Sequence, residues 1–207
     1  MAVTGSSIIG DDGKNTEQGR RSGVRREVSR ATPKRLEYVA LHYLERYASS
    51  SENLRRILLR RVDRSARVHG TDRCEGEAAV EQIIRKFQEC GYLNDRVYAE
   101  MRVGGLHRRG TSGRAIRHRL ALKGVAEDDI EAALEALSEE VPHPDRHAAI
   151  AYARRRRIGP WRLDGREKNR ERDLAALGRQ GFSYEIARWI VEAASPEACE
   201  ANLLEKT

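Results

Sequence analysis

The residues of this chain best equipped for chemistry are arginines, and they come in clusters. Arg55 and Arg56 are followed by Arg60 and Arg61, and Arg108 and Arg109 by Arg114, Arg117 and Arg119; Arg154, Arg155, Arg156 and Arg157 are consecutive. A guanidinium is planar, permanently charged and carries a fork of donors that matches carboxylate and phosphate oxygens. Of the 39 basic residues 33 are Arg, the formal net charge is +7 and the pI is about 9.6. A polyanion or an acidic protein face is therefore the expected partner. Charge runs also arise on ordinary solvated helix faces. Four consecutive arginines, however, repel one another by tenths of a kcal/mol per pair, a cost that solubility does not require. The candidate contact residues are Arg55, Arg56, Arg60, Arg108, Arg109, Arg114, Arg117, Arg154, Arg155, Arg156 and Arg157. Trp161 joins them as an aromatic anchor, because interface energy concentrates in a few aromatic and Arg side chains.

Residues for catalysis are scarce. The sequence contains no P-loop, dinucleotide fingerprint, H-E-x-x-H or G-x-S-x-G, so no enzyme and no cofactor are expected. His143 and His147 have the look of metal ligands, but the prolines beside His143 put it in a loop or helix start with no third ligand near. Glu127, Asp128 and Asp129 open a helix, where carboxylates are favoured by the helix dipole alone. Three cysteines with no C-x-x-C pair suggest neither a disulfide framework nor a zinc knuckle, and Cys90 reads as core filler. Aromatics interleaved with the basic runs are not seen, which argues for phosphate contact without base reading.

Many short helices are needed to position these arginines. Of the 207 residues 34% are charged and 39% hydrophobic, with two Phe and two Trp, too little bulky apolar mass for a two-sided sheet core. No proline lies between Lys34 and Val141, which again favours helices. The expected fold is all-α. Residues 1–31 lack apolar periodicity and read as a basic disordered tail. Order begins at Thr32-Pro33, with Leu36, Val39, Ala40, Tyr43, Leu44 and Tyr47 on one stripe. A second helix carries Leu54, Ile57, Leu58 and Val62; a polar stretch from Arg64 to Gly76 precedes a third helix bearing Val80, Ile83, Ile84 and Phe87.

The pattern then recurs. Val97, Tyr98 and Met101 mark the next helix, then Ile116 and Leu120, then Ile130, Ala133, Leu134 and Leu137. A further round carries Ala148, Ala151 and Tyr152, then Leu174 and Leu177, then Ile186, Trp189 and Ile190, with Trp189 read as core. Leu120-x-x-Lys123-Gly124-Val125 lies over Leu177-x-x-Gln180-Gly181-Phe182 at an offset of 57 residues. Nine helices in three triplets are predicted: residues 32–93, 94–141 and 142–194, with 195–207 as a C-terminal tail. Units of this period stack on their neighbours and form a quasi-linear array. No window reaches the ~20 apolar residues of a membrane span and the first thirty residues lack a secretory apolar centre, so a cytosolic monomer is expected.

Several of these segments match a known pattern. Ala40-Leu41-x-Tyr43-Leu44, Gly91-Tyr92-Leu93-Asn94-Asp95 with Tyr98-Ala99, and Ile116-Arg117-x-x-Leu120-x-x-Lys123-Gly124 occur in order. Arg166-Glu167-Lys168 then leads to Arg179-Gln180-Gly181-Phe182-Ser183-Tyr184-x-Ile186. Over roughly Pro33 to Ala193 the chain resembles the RecX family, bacterial modulators of the RecA recombinase. The resemblance implies three tandem three-helix repeats in a curved, elongated body. It also implies binding within the groove of the RecA filament on DNA, inhibition of recombinase, ATPase and coprotease activities, and no catalytic site. The long amino-terminal tail and the Gly159-Pro160-Trp161 turn depart from the family pattern. The rival expectation from charge alone is a direct DNA-binding protein of helix-turn-helix or nucleoid type, holding duplex weakly through phosphate contacts.

Overall fold

The structure is a computed structural model and describes residues 28–204. Ten α-helices follow one another: α1 (Pro33–Leu44), α2 (Ser51–His69), α3 (Arg73–Glu89), α4 (Asp95–Arg108), α5 (Gly113–Leu122), α6 (Glu127–Glu140), α7 (Pro144–Arg156), α8 (Arg170–Arg179), α9 (Tyr184–Glu192) and α10 (Pro196–Leu204). Two short 3-10 turns, Gly159–Trp161 and Glu167–Asn169, link α7 to α8. No strand occurs among the described residues. The fold is all-α, as composition and proline placement predict.

Helix starts follow the capping rule, in which a short polar side chain accepts from a backbone N–H of the first turn. Thr32, Ser50, Asp72, Asn94, Ser112 and Ser183 each do so, at 3.1 to 3.3 Å. Three apolar clusters then form. Leu36, Leu54, Leu58, Val80, Ile84 and Phe87 anchor the first, on α1–α3. Tyr98, Val103, Ile116, Leu120 and Ile130 anchor the second, on α4–α6. Ala148, Tyr152, Leu177, Phe182 and Ile190 anchor the third, on α7–α9. The fold is thus three tandem three-helix units.

Several details depart from the sequence reading. The polar stretch from Arg64 is helical, since α2 continues to His69, and only a short loop separates it from α3. The α4 stripe is turned: Tyr98, Ala99, Val103 and Leu106 are buried while Val97 and Met101 lie exposed. Tyr47 is exposed as well, because α1 stops at Leu44. Cys90 is exposed beyond the end of α3; the buried thiol is Cys199, which burial pushes up to about 11. Cys199 lies on α10, in the segment expected to be a tail, and seals the third cluster. The expected amino-terminal tail lies outside the described residues up to position 27. Its last residues hold onto α2, with the Ala31 N–H donating to Ser65 Oγ at 2.9 Å.

The units are joined by a polar contact made twice with the same geometry. Ser50 Oγ accepts from its own helix and donates to the carbonyl of Lys123 at 2.5 Å. Ser112 Oγ accepts likewise and donates to the carbonyl of Gln180 at 2.7 Å. Beside each serine, the next backbone N–H donates at 2.7 Å to a carboxylate opening the following unit: Ser51 to Asp95, and Gly113 to Asp145. Both serines are fully buried. After the accepting carbonyls come Gly124 and Gly181, with φ of 72° and 87°. A β-carbon at Gly124 would stand 2.2 Å from Glu52 Cγ, and one at Gly181 would stand 2.6 Å from Ser112 Oγ. Glycine is required at both by conformation and by close approach.

The linker into α8 is fixed by a buried ion pair. Asp173, 2% exposed, accepts from Arg162 Nη2 at 2.5 Å and from the Gly159 N–H at 3.1 Å. Replacing Asp173 with Ala leaves a guanidinium and a backbone N–H without their partner and should cost roughly 3 kcal/mol in urea unfolding. Gly181→Ala and Ser112→Ala should each cost about 1–3 kcal/mol. Because they disturb one contact, the double variant should lose less than the sum of the two; full additivity would show that the glycine and the serine act separately.

Candidate anion-binding surface

The helices that carry the arginines sort them into two kinds. Arg55, on α2, is enclosed by acids: its Nε donates to Glu81 at 2.7 Å and its Nη1 to Glu52 at 2.6 Å. These hydrogen bonds, Glu81 first, hold the guanidinium more firmly protonated than usual. Arg56 donates to Glu52 at 2.8 Å and to the carbonyl of Leu122 at 2.9 Å, so it reinforces the first joint. Arg117 is paired with Glu131 of α6 through a pair of hydrogen bonds. Arg60 and Arg114 are exposed, and no ion pair holds them among the described residues.

The other two clusters meet. Arg108 and Arg109 end α4, and Arg154 to Arg157 end α7. Arg155 Nη1 donates to the carbonyl of Arg109 at 2.5 Å and lies over the ring of Tyr152, 5.7 Å from its centroid. Two helix carboxyl ends, each with partial negative charge, thus share one basic patch. Arg154 is paired with Glu200 of α10. Arg108, Arg109, Arg156 and Arg157 remain exposed, without an ion pair among the described residues.

Arg157 is strained. Its φ is 54°, the left-handed region where a side chain other than Gly, Asn or Asp costs about 1–2 kcal/mol. Backbone strain of this kind concentrates at functional positions. Trp161 is different: it is half-buried against the third cluster, where it packs as core. Trp189 also packs there, partly covered by Arg146 at 5.5 Å.

The histidines do not assemble a metal centre; no group of three metal-capable side chains occurs among the described residues. His107 Nε2 is 2.8 Å from the carbonyl of Pro144 and so ties α4 to the start of α7. Burial, with His107 and His143 nearby, holds His147 below the usual histidine range.

A second basic surface escapes the sequence reading. Arg35, Tyr38, His42, Tyr43, Arg46 and Tyr47 from the first helical segment face Arg61 and Arg64 of α2 across a groove of about 550 Å³. Aromatics are therefore interleaved with arginines, contrary to expectation. The signal in sequence was the spacing Arg35-x-x-Tyr38-x-x-x-His42-x-x-x-Arg46, a single helix face; the arginines of α2 join it only by packing.

Fold and surface together define a helical-repeat protein whose conspicuous feature is exposed arginine at the ends of its helices, without an ion pair among the described residues. Residues 94–134 match the model of the second three-helix domain of RecX. The regulatory protein RecX of Myxococcus xanthus is 44% identical over 166 residues, covering 79% of this chain and 88% of that one. The regulatory protein RecX of Agrobacterium fabrum is 36% identical over 107 residues, covering 51% and 55%. The crystal structure of RecX from Lactobacillus salivarius superposes with a TM-score of 0.53 at 20% identity, over 77% of this chain and 94% of that one. The chain belongs to the RecX family, whose named members here are regulatory proteins.

Arg157→Gly should relax the left-handed position while removing a charge. The expected outcome is a gain of about 1 kcal/mol in stability together with weaker binding to duplex DNA or heparin and a salt slope smaller by about 1. A gain in stability with unchanged binding and slope would make Arg157 a strained bystander.

Proposed function

We propose that the protein is a non-enzymatic inhibitor of the RecA recombinase that lies in the groove of the RecA–DNA filament and suppresses ATP hydrolysis, strand exchange and coprotease cleavage. The observation that carries this reading is the merged patch of Arg108, Arg109, Arg156 and Arg157 at the seam between the second and third units of a chain belonging to this family. A tandem array presents such a seam to a surface that itself repeats, which a single compact unit does not. With helices of 9 to 19 residues, about 14 to 29 Å long, three units in tandem can touch more than one protomer. The free arginines then meet carboxylates of the filament or phosphates of its DNA. Contact across protomers favours one filament geometry and fills the space a second DNA must enter. No bond need be made or broken.

The test is DNA-dependent ATP hydrolysis and strand exchange by the cognate recombinase. Equimolar or lower amounts of the protein should suppress both, and suppression should persist at saturating free DNA. A protein that only coats DNA would inhibit in proportion to DNA and lose its effect when DNA is in excess. That second outcome would promote the phosphate-contacting DNA binder. Leu120, 1% exposed, supplies the folding control: Leu120→Asp should cost several kcal/mol and abolish helicity and inhibition together.

A further inference from the structure

The groove between α1 and α2 has a composition that neither the fold nor the seam of arginines explains. Its walls carry Arg35, Arg46, Arg61 and Arg64 with Tyr38, His42, Tyr43 and Tyr47; Val28 and Ser29 line it too, and no carboxylate does so among the described residues. Glu45 stands beside it, with Oε2 3.2 Å from His42 Nδ1. Tyr38 and Tyr47 are 58% and 57% exposed, far more than rings placed to fill a core.

These rings are arranged in layers. Tyr38 and His42 lie parallel, 6° apart, with centroids separated by 6.1 Å, and the guanidinium of Arg35 sits over Tyr38 at 5.3 Å. Tyr47 packs on Tyr43 at 5.2 Å with a tilt of 38°. Tyr43 is fixed from below, its hydroxyl 3.3 Å from Asn53 Nδ2, so Tyr47 rests on a rigid base. An exposed aromatic ladder flanked by arginines is the arrangement that holds unpaired bases, because every base has a π-face and every nucleotide brings a phosphate. The Arg35 guanidinium already occupies a planar cation's place on Tyr38; an incoming base can take that face and release the guanidinium toward the strand's phosphate.

We propose that this groove binds single-stranded nucleic acid, with bases stacked on Tyr38 and Tyr47 and phosphates on Arg35, Arg46, Arg61 and Arg64. A duplex is a poor fit because its base faces are already stacked, and an acidic peptide would use the arginines but leave the rings idle. A free mononucleotide would be shorter than the groove, which follows α1 from Arg35 to Leu44, about 14 Å of helical rise, and continues past the helix end to Arg46 and Tyr47. The site is remote in sequence from the seam of Arg108, Arg109, Arg156 and Arg157, and its test uses the protein alone, so its failure and the failure of the recombinase reading are separate events.

The experiment is fluorescence anisotropy of the full chain with a short labelled DNA single strand and with the matching duplex. Tyr38→Ala combined with Tyr47→Ala should weaken single-strand binding about tenfold or more and change duplex binding by less than about twofold. Tyr38→Phe, which keeps the ring, should bind the single strand like the parent. Arg61→Gln with Arg64→Gln should weaken it and lower the salt slope by about one to two. Circular dichroism verifies that each variant keeps its helices, which the exposure of both tyrosines favours. The proposal is overturned if the tyrosine variants bind the single strand normally or lose single strand and duplex equally. It is also overturned if a free mononucleotide, or polyglutamate, displaces the strand at comparable concentration from the parent protein.

Discussion

One hydroxyl group at each joint does two tasks, and the arrangement of the units depends on it. Ser50 and Ser112 accept the first-turn N–H of their own helices and donate to a carbonyl at the end of a helix in the next unit. A buried hydroxyl that satisfied only its own helix would leave its proton without an acceptor, at a cost of about 1–3 kcal/mol. The joint therefore tolerates little sliding. The carboxylates of Asp95 and Asp145, held by the backbone N–H beside each serine, restrict rotation in the same way. Among the described residues no buried side-chain polar atom is left without a partner.

These joints also decide which arginines are free. Arg56 is drawn into the first joint by the carbonyl of Leu122, and Arg155 bridges to the carbonyl of Arg109 beside the second. Helix carboxyl ends leave carbonyls without intrahelical partners, so arginines in contact with them are structural. Others on the same ends, Arg156 and Arg157, lie exposed and make no side-chain hydrogen bond among the described residues. The basic surface is thus a remainder: the arginines among the described residues that are left once those of α2 and α7 have tied units together and Arg117 of α5 has paired within its own unit.

The third unit ends the series differently. Asn169 stands where Ser112 would fall by the 57-residue offset, and it makes no capping bond to the start of α8; its side chain turns back to the carbonyl of Gly165 at 2.8 Å. The buried pair of Asp173 and Arg162 fixes the linker there, and α10 closes the apolar cluster with Cys199. Arg166 in turn donates to the carbonyl of Val191 at 2.8 Å.

The sequence by itself determined the helical class and most of the apolar stripes, since helical periodicity acts over three or four residues and can be read locally, whereas the cap at Asp72 falls inside a stretch expected to be polar loop. It also carried the repeat, because Gly124 and Gly181 must be glycine for reasons that each unit meets separately. Tertiary structure decided the rest. Which face of α4 is buried, with Tyr98 and Val103 inside and Val97 and Met101 outside, depends on where α6 and α7 approach. The segment after Ser195 reads as polar and short, yet it is a helix because Cys199 finds an apolar cluster to seal. The same holds for charge: Arg55 is bound by Glu52 of its own helix and by Glu81 of the neighbouring α3, and it is Glu81, out of reach of local reading, that makes it a tie between helices, while Arg60 is exposed. A guanidinium's role is set by all the acceptors within its reach, and those that tie one helix to another here come from residues 26, 46 and 66 positions away.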